Sequence, residues 1–203
     1  MAEQTETSMN SKKIIILVIA LITITAQLYI PISMAKRYED ILKNGKPFIF
    51  KVEPRDPADP FKGRYVVLTF PISSGPQSDL KQPEIFRHLN RKAPAYAILQ
   101  ETNDGYTKIN NILGDAPKHQ NYIKVKYRAD YNERYFIELP FNRYYAEESK
   151  APKIEHLVWN REDDEQVHEF YADVRIKNGY GVIAELYIDN VPILKYLEQQ
   201  KNN

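Results

Sequence analysis

The sequence predicts a mainly β domain, barrel- or sandwich-like, made of several short antiparallel strands with two or three short helices and preceded by one N-terminal transmembrane helix; an α+β arrangement is the alternative. Three observations carry this prediction. Ile14 to Ile32 holds no charged residue. Beyond it, short stretches alternate apolar and polar with period two, the signature of half-buried strands. Fourteen of the fifteen tyrosines also lie beyond that run, and tyrosine favours strands, where one side of the ring is buried and the hydroxyl stays wet.

Met1 to Lys12 is polar and unpatterned and reads as a short cytoplasmic tail, residues 1–12. Residues 13–34 form the anchor. Nineteen uncharged residues at about 1.5 Å rise span close to the roughly 30 Å hydrocarbon core of a bilayer. A helix packed on a soluble core would carry charges along its solvent side, and this run has none, while a cleaved signal peptide, for which Ser33-Met34-Ala35 offers small residues, has a shorter apolar region of about 7–15 residues. Length favours the anchor. Lys12 and Lys13 before the span balance Lys36 and Arg37 after it, so flanking charge does not orient it; a short tail followed by a large folded domain places residues 35–203 outside the inner membrane. With no cysteine anywhere, a lipid anchor through cysteine is excluded.

Lys46 to Val52 reads as a strand closed by Glu53-Pro54. The Asp-Pro-rich loop that follows, through Pro60, cannot be helix or a central paired strand. Arg64 to Phe70 is dense in β-branched and aromatic residues; both of its faces are apolar, which predicts a central, doubly covered strand with Tyr65 and Leu68 in the core. Pro83 to Arg91 suits a short helix with proline in its first turn. Tyr96–Glu101 and Tyr106–Ile109 form a hairpin about Asn103-Asp104-Gly105. Tyr122 to Arg128 alternates, with Ile123, Val125 and Tyr127 on one face and Lys124, Lys126 and Arg128 on the other. Arg134 to Leu139 is a further strand, Asn142 caps a helical stretch through Glu148, and Pro152 opens a helix bearing Ile154, Leu157 and Val158. In the last hairpin, matching the apolar sets pairs Ile176 with Val182, Val174 with Ala184 and Ala172 with Leu186 around a three-residue loop, Asn178-Gly179-Tyr180. The local preference for a two-residue Asn-Gly turn opposes this register.

Residues 36–203 carry 26 Lys and Arg against 25 Asp and Glu, so no net charge argues for nucleic acid. The four histidines, His88, His119, His156 and His168, lack metal-ligand spacing and read as solvated; no metal or other cofactor is expected. The acidic run Glu162 to Glu165 lacks the glycine and spacing of a calcium loop. Ser33 just beyond the span and Lys124 in a later strand loosely follow the order of membrane-bound signal peptidases, but Gly63 is followed by Arg64 rather than aspartate and Lys124 shares its face with two other cations. Within the span, Ala20, Thr23 and Gln27 fall at i, i+3 and i+7 on one side. Such small and polar stripes let membrane helices pack, at about 0.6–2 kcal/mol per contact, though Thr23 can instead bond its own backbone.

From Glu53 to Phe70 the chain resembles the membrane-anchored GDYXXLXY family, whose Gly-Asp-Tyr-x-x-Leu-x-Tyr signature follows an Asp-Pro-rich loop. Gly63, Tyr65 and Leu68 match; Arg64 stands for the aspartate and Phe70 for the last tyrosine. The strand at Tyr135-Phe136 and the hairpin from Ala172 to Asp189 are similar too. The resemblance implies an N-terminal anchor, a bacterial envelope setting and association with polytopic membrane proteins, and no reaction. The expected function is therefore a single-pass, extracytoplasmic accessory of the inner membrane whose partners are the lipid bilayer and a polytopic membrane protein. It would use its span and the proline-stiffened loop residues Arg55, Asp56 and Asp59. A serine–lysine hydrolase using Ser33 and a glycan- or lipid-binding module using the basic strand are the alternatives.

Overall fold

The computed structural model describes residues 11–53, 65–76, 78, 92–129, 134–159 and 168–201. The loop residues Arg55, Asp56 and Asp59, the signature positions Gly63 and Arg64, the acidic run and the helix expected over 83–91 lie outside them. The chain divides into two compact units, Met1–Asp40 and Ile41–Asn203.

The first unit is the bulk of helix α1, Ser11–Asn44, which carries Pro31 internally. A proline lacks the N–H that would bond the carbonyl four residues back, so Pro31 removes one ladder bond, while three hydroxyls elsewhere in the helix bond carbonyls of their own preceding turns. Thr23 Oγ1 donates to Ile19 O at 2.9 Å, Thr25 Oγ1 to Leu21 O at 2.7 Å and Ser33 Oγ to Ile30 O at 2.7 Å. The helix is long and apolar enough to cross a membrane, and none of its most apolar window is buried.

The second unit is a half-barrel of antiparallel sheets. Its strands are β1 (Lys46–Lys51), β2 (Tyr65–Val67), β3 (Ser74–Pro76), β4 (Ala93–Glu101), β5 (Thr107–Leu113), β6 (Tyr122–Ala129), β7 (Arg134–Glu138), β8 (Arg143–Tyr145), β9 (Phe170–Lys177), β10 (Tyr180–Ile188) and β11 (Val191–Pro192), with helices α2 (Ala151–Trp159) and α3 (Ile193–Lys201). One sheet runs β1-β9-β10-β11, a second β3-β7-β6-β4-β5, and β2 pairs β8 as a ribbon. Prolines respect this order. Pro47, Pro76 and Pro192 lie on the edge strands β1, β3 and β11, while Pro94 occupies a stretch of β4 that pairs β6 but not β5. At such positions a missing N–H breaks no ladder bond.

Alternation builds the core. Phe48 and Phe50 of β1, Ala172 and Val174 of β9, Leu186 and Ile188 of β10 face Ala97 and Leu99 of β4 and Ile123, Val125 and Tyr127 of β6 in one buried cluster. In α2, Ile154 and Val158 are buried four residues apart on one helical face, as the sequence predicts. The C-terminal helix α3, which the sequence pattern did not predict, buries Ile193 and packs on β10.

Three expectations are corrected. The segment after Asn142 is strand β8, not helix. Tyr144 opposes Val66, and Asn142 supplies its carbonyl to the Leu68 N–H at 2.8 Å instead of capping a helix. Partner pairing outweighs a helix propensity that amounts to only tenths of a kcal/mol per residue. The signature strand is also unevenly covered: it pairs β8 along Tyr65–Val67 and bridges Glu53 at Thr69, the Glu53 N–H donating to Thr69 O at 2.8 Å, yet Val66, Leu68 and Phe70 are buried while Tyr65, Val67 and Thr69 are only half-buried. Finally, the last hairpin closes through a two-residue turn. Asn178 and Gly179 adopt φ of +53° and +79°, and Tyr180 opposes Lys177. Gly181 therefore opposes Ile176, and Ile183 opposes Val174. A β-bulge between Ile183 and Glu185 absorbs one residue, so Leu186 still opposes Ala172. The turn and the apolar pattern are both satisfied because a bulge inserts the residue that reconciles them.

Candidate functional site

The signature divides between core and surface. Leu68 and Phe70 are buried, and Phe70 meets Phe141 and Phe50 with ring centroids 5.3 and 6.1 Å apart; Phe50 and Phe141 close the trio at 5.3 Å. Tyr65, expected in the core, stands on the outward side of the β2–β8 ribbon. It lies 5.9 Å from the ring of Tyr145 and has the Arg143 guanidinium 4.8 Å from its centroid. Tyr145 is 61% exposed. Two tyrosines and an arginine thus share one face of the ribbon.

Behind that ribbon, Tyr144 points inward and donates to Glu185 Oε1 at 2.8 Å; the same oxygen accepts the Leu186 N–H at 3.0 Å. The bulge turns Glu185 toward the ribbon, so the irregularity that rescues the hairpin register also ties two sheets together. Burial, reinforced by the carboxylate, holds the Tyr144 phenol above its ordinary titration range.

A second polar cluster joins residues distant in sequence. Lys51 Nζ sits 4.2 Å from the Tyr106 centroid and 3.6 Å from Glu169; Tyr106 meets Tyr171, which stacks on Tyr187 at 4.9 Å and 9° and donates to Asn190 Oδ1 at 2.9 Å. Asp189 and Asn190, with φ of +48° and +66°, make the turn into β11, and Asp189 bonds His168. His168, expected to be solvated, keeps 13% of its side chain exposed. Asp-Asn before Val-Pro was the available turn signal; the sequence-distant partners gave none.

Partial burial and then the hydrogen bond with Glu169 push the Tyr106 phenol up to about 12 from 10.0. The folded state thus holds a proton that the unfolded chain releases near pH 10, and its contribution to stability is present below that pH and lost as pH rises toward about 12. Ultraviolet phenolate titration is expected to show this tyrosine ionising late, and Tyr106→Phe removes one late-titrating group. A variant whose titration curve superimposes on that of the parent chain would overturn the assignment.

The remaining candidates are scattered. Ala20, Thr23 and Gln27 are exposed on α1, with the Thr23 hydroxyl engaged by its own backbone. Ser33 is likewise bonded within its helix, and Lys124 Nζ lies 4.3 Å from the Tyr180 centroid. Among the described residues, no group of three or more His, Cys, Asp or Glu could hold a metal ion.

The model of the family described as GDYXXLXY protein matches residues 27–186. No curated protein and no solved structure matches the chain significantly. The match runs from within α1 to the bulged strand of the last hairpin, covering most of the chain, and the chain belongs to the GDYXXLXY protein family.

Proposed function

We propose that this is a single-pass accessory protein of the bacterial inner membrane, its folded unit extracytoplasmic, that docks on a polytopic membrane protein. One observation carries the reading. Ile14 to Ile32 is uncharged and helical, and its large apolar side chains are exposed rather than packed into a core. Left in water, so long an apolar surface has no stable resting place; in lipid it is solvated. The polar stripe Ala20, Thr23 and Gln27 supplies the contact with a second membrane helix. A glutamine amide in hydrocarbon is costly until something bonds it, and a partner helix can do so. Arg55, Asp56 and Asp59, together with the face of Tyr65, Arg143 and Tyr145, supply the contact outside the bilayer.

Alkaline carbonate extraction of native membranes is expected to leave the full chain in the pellet, and its release into the wash would defeat the anchor. Photocross-linking from within the span then captures the partner. Gln27→Leu is expected to weaken capture by roughly 3- to 30-fold while carbonate resistance is retained. Capture unchanged by that substitution removes the polar stripe from the interface.

A further inference from the structure

The outward face of the five-stranded sheet is cationic although the whole chain is close to neutral, with a formal net charge of +1. Strand alternation sends Lys124, Lys126 and Arg128 of β6 and Arg134 of β7 to this side, and Lys92 joins them beside Glu138. Among the described residues, β6 and β7 set four cations and one carboxylate, Glu138, on that face, and Lys92, just before β4, makes the fifth cation. The arrangement is ordered across strands. Lys126 Nζ lies 3.5 Å from Glu138, Arg128 lies 4.8 Å over the Phe136 ring, and Lys124 lies 4.3 Å over Tyr180. The charges nonetheless stay accessible, with the side chain of Lys126 68% exposed and that of Lys92 58% exposed.

We infer that this face binds anionic phospholipid headgroups, an inference that rests on the membrane tethering proposed above. Alternate residues of a strand stand about 7 Å apart, so Lys124, Lys126 and Arg128 form a row about 14 Å long. A row of separate cations on an open sheet face suits an extended field of phosphates better than one discrete anion. Aromatic rings lie under two of these cations, and tyrosine in particular prefers the headgroup level, where a ring is half-solvated and a hydroxyl is wet. Tethering favours lipid over a free polyanion, because the headgroups of the host bilayer are present at high effective concentration. Each Lys or Arg near an anionic surface contributes about fivefold to binding at physiological ionic strength.

The test is acetylation footprinting of the full chain in nanodiscs, one set of phosphatidylcholine alone and one containing phosphatidylglycerol. Lys124 and Lys126 are expected to react about fivefold more slowly in the anionic discs, while Lys153, exposed on α2, reacts equally in both. Salt raised until the Debye length falls to about 3 Å restores their reactivity, and the exposed pair Lys126→Gln with Arg128→Gln abolishes the protection at Lys124. Equal reactivity in both discs, with the chain incorporated, overturns the lipid face and leaves the tether standing. Protection by added soluble polyglutamate but not by phosphatidylglycerol also overturns it, in favour of an acidic polymer. A chain recovered outside both kinds of disc overturns the tether, and the lipid face with it.

Discussion

Phe50→Ala is expected to lower the stability of the folded unit by about 3–5 kcal/mol. Phe50 is fully buried and its ring meets those of Phe70 and Phe141. The three belong to β1, to the segment following β2 and to the segment before β8, so one truncation opens a void where separate pieces of backbone converge. Interiors packed at near-crystalline density relax only partly into such a void. For a unit of this size the loss corresponds to roughly 6–20 °C in midpoint, read by circular dichroism on the full chain in detergent. Tyr145→Ala, on the exposed side of the ribbon, is expected to shift stability by no more than about 0.5 kcal/mol. If Phe50→Ala costs less than about 1 kcal/mol, the aromatic trio is not the centre of the core.

Gly179→Ala is expected to cost about 2–5 kcal/mol, the sum of a left-handed backbone penalty and overpacking. Gly179 holds φ of +79°, and an added Cβ would stand 2.6 Å from the Tyr122 ring and 2.8 Å from Lys124 Cγ. Its carbonyl accepts the Lys124 N–H at 2.9 Å, which fastens the tip of the last hairpin to β6 of the other sheet. Gly105 supplies the comparison. Its φ is +84°, and nothing lies within 4 Å of where a methyl group would stand. Alanine there is expected to cost the backbone penalty alone, about 1–2 kcal/mol. The two variants should also differ in hydrogen exchange, with the Lys124 amide exposed faster by Gly179→Ala only. Equal losses at the two glycines would show that the hairpin tip does not staple the sheets.

Much of this architecture is legible without coordinates. Wherever one face alternates cleanly, as in Tyr122 to Arg128 or Phe170 to Ile176, the side turned to the core follows from a period of two, and the structure buries Ile123, Val125 and Tyr127. Local turn chemistry is equally direct at Asn103-Asp104-Gly105, where glycine occupies the positive-φ position. The signature strand misled because its two faces are about equally apolar. Composition cannot separate a strand covered on both sides from one whose outer ring, Tyr65, is covered by a neighbouring tyrosine and an arginine. Asn142 misled for a related reason: its carbonyl serves Leu68, a residue that no local rule associates with it.

The last hairpin marks the boundary most clearly. Apolar matching and Asn-Gly turn preference demand incompatible registers only if a strand keeps one register throughout. The bulge between Ile183 and Glu185 lets each hold at its own end, and it turns Glu185 toward the hydroxyl of Tyr144, on a strand far away in sequence.

What the sequence determined by itself was the apolar helix, the mainly β composition of the unit after it, and the inward face of each cleanly alternating strand. All of these are set by periods and turns that act within a few residues. Only the tertiary structure decided which strands are neighbours, that β8 is a strand at all, and that five cations share one outward face. Those outcomes depend on contacts between distant segments, whose energies exceed the small local preferences and leave no trace in the spacing of residues along the chain.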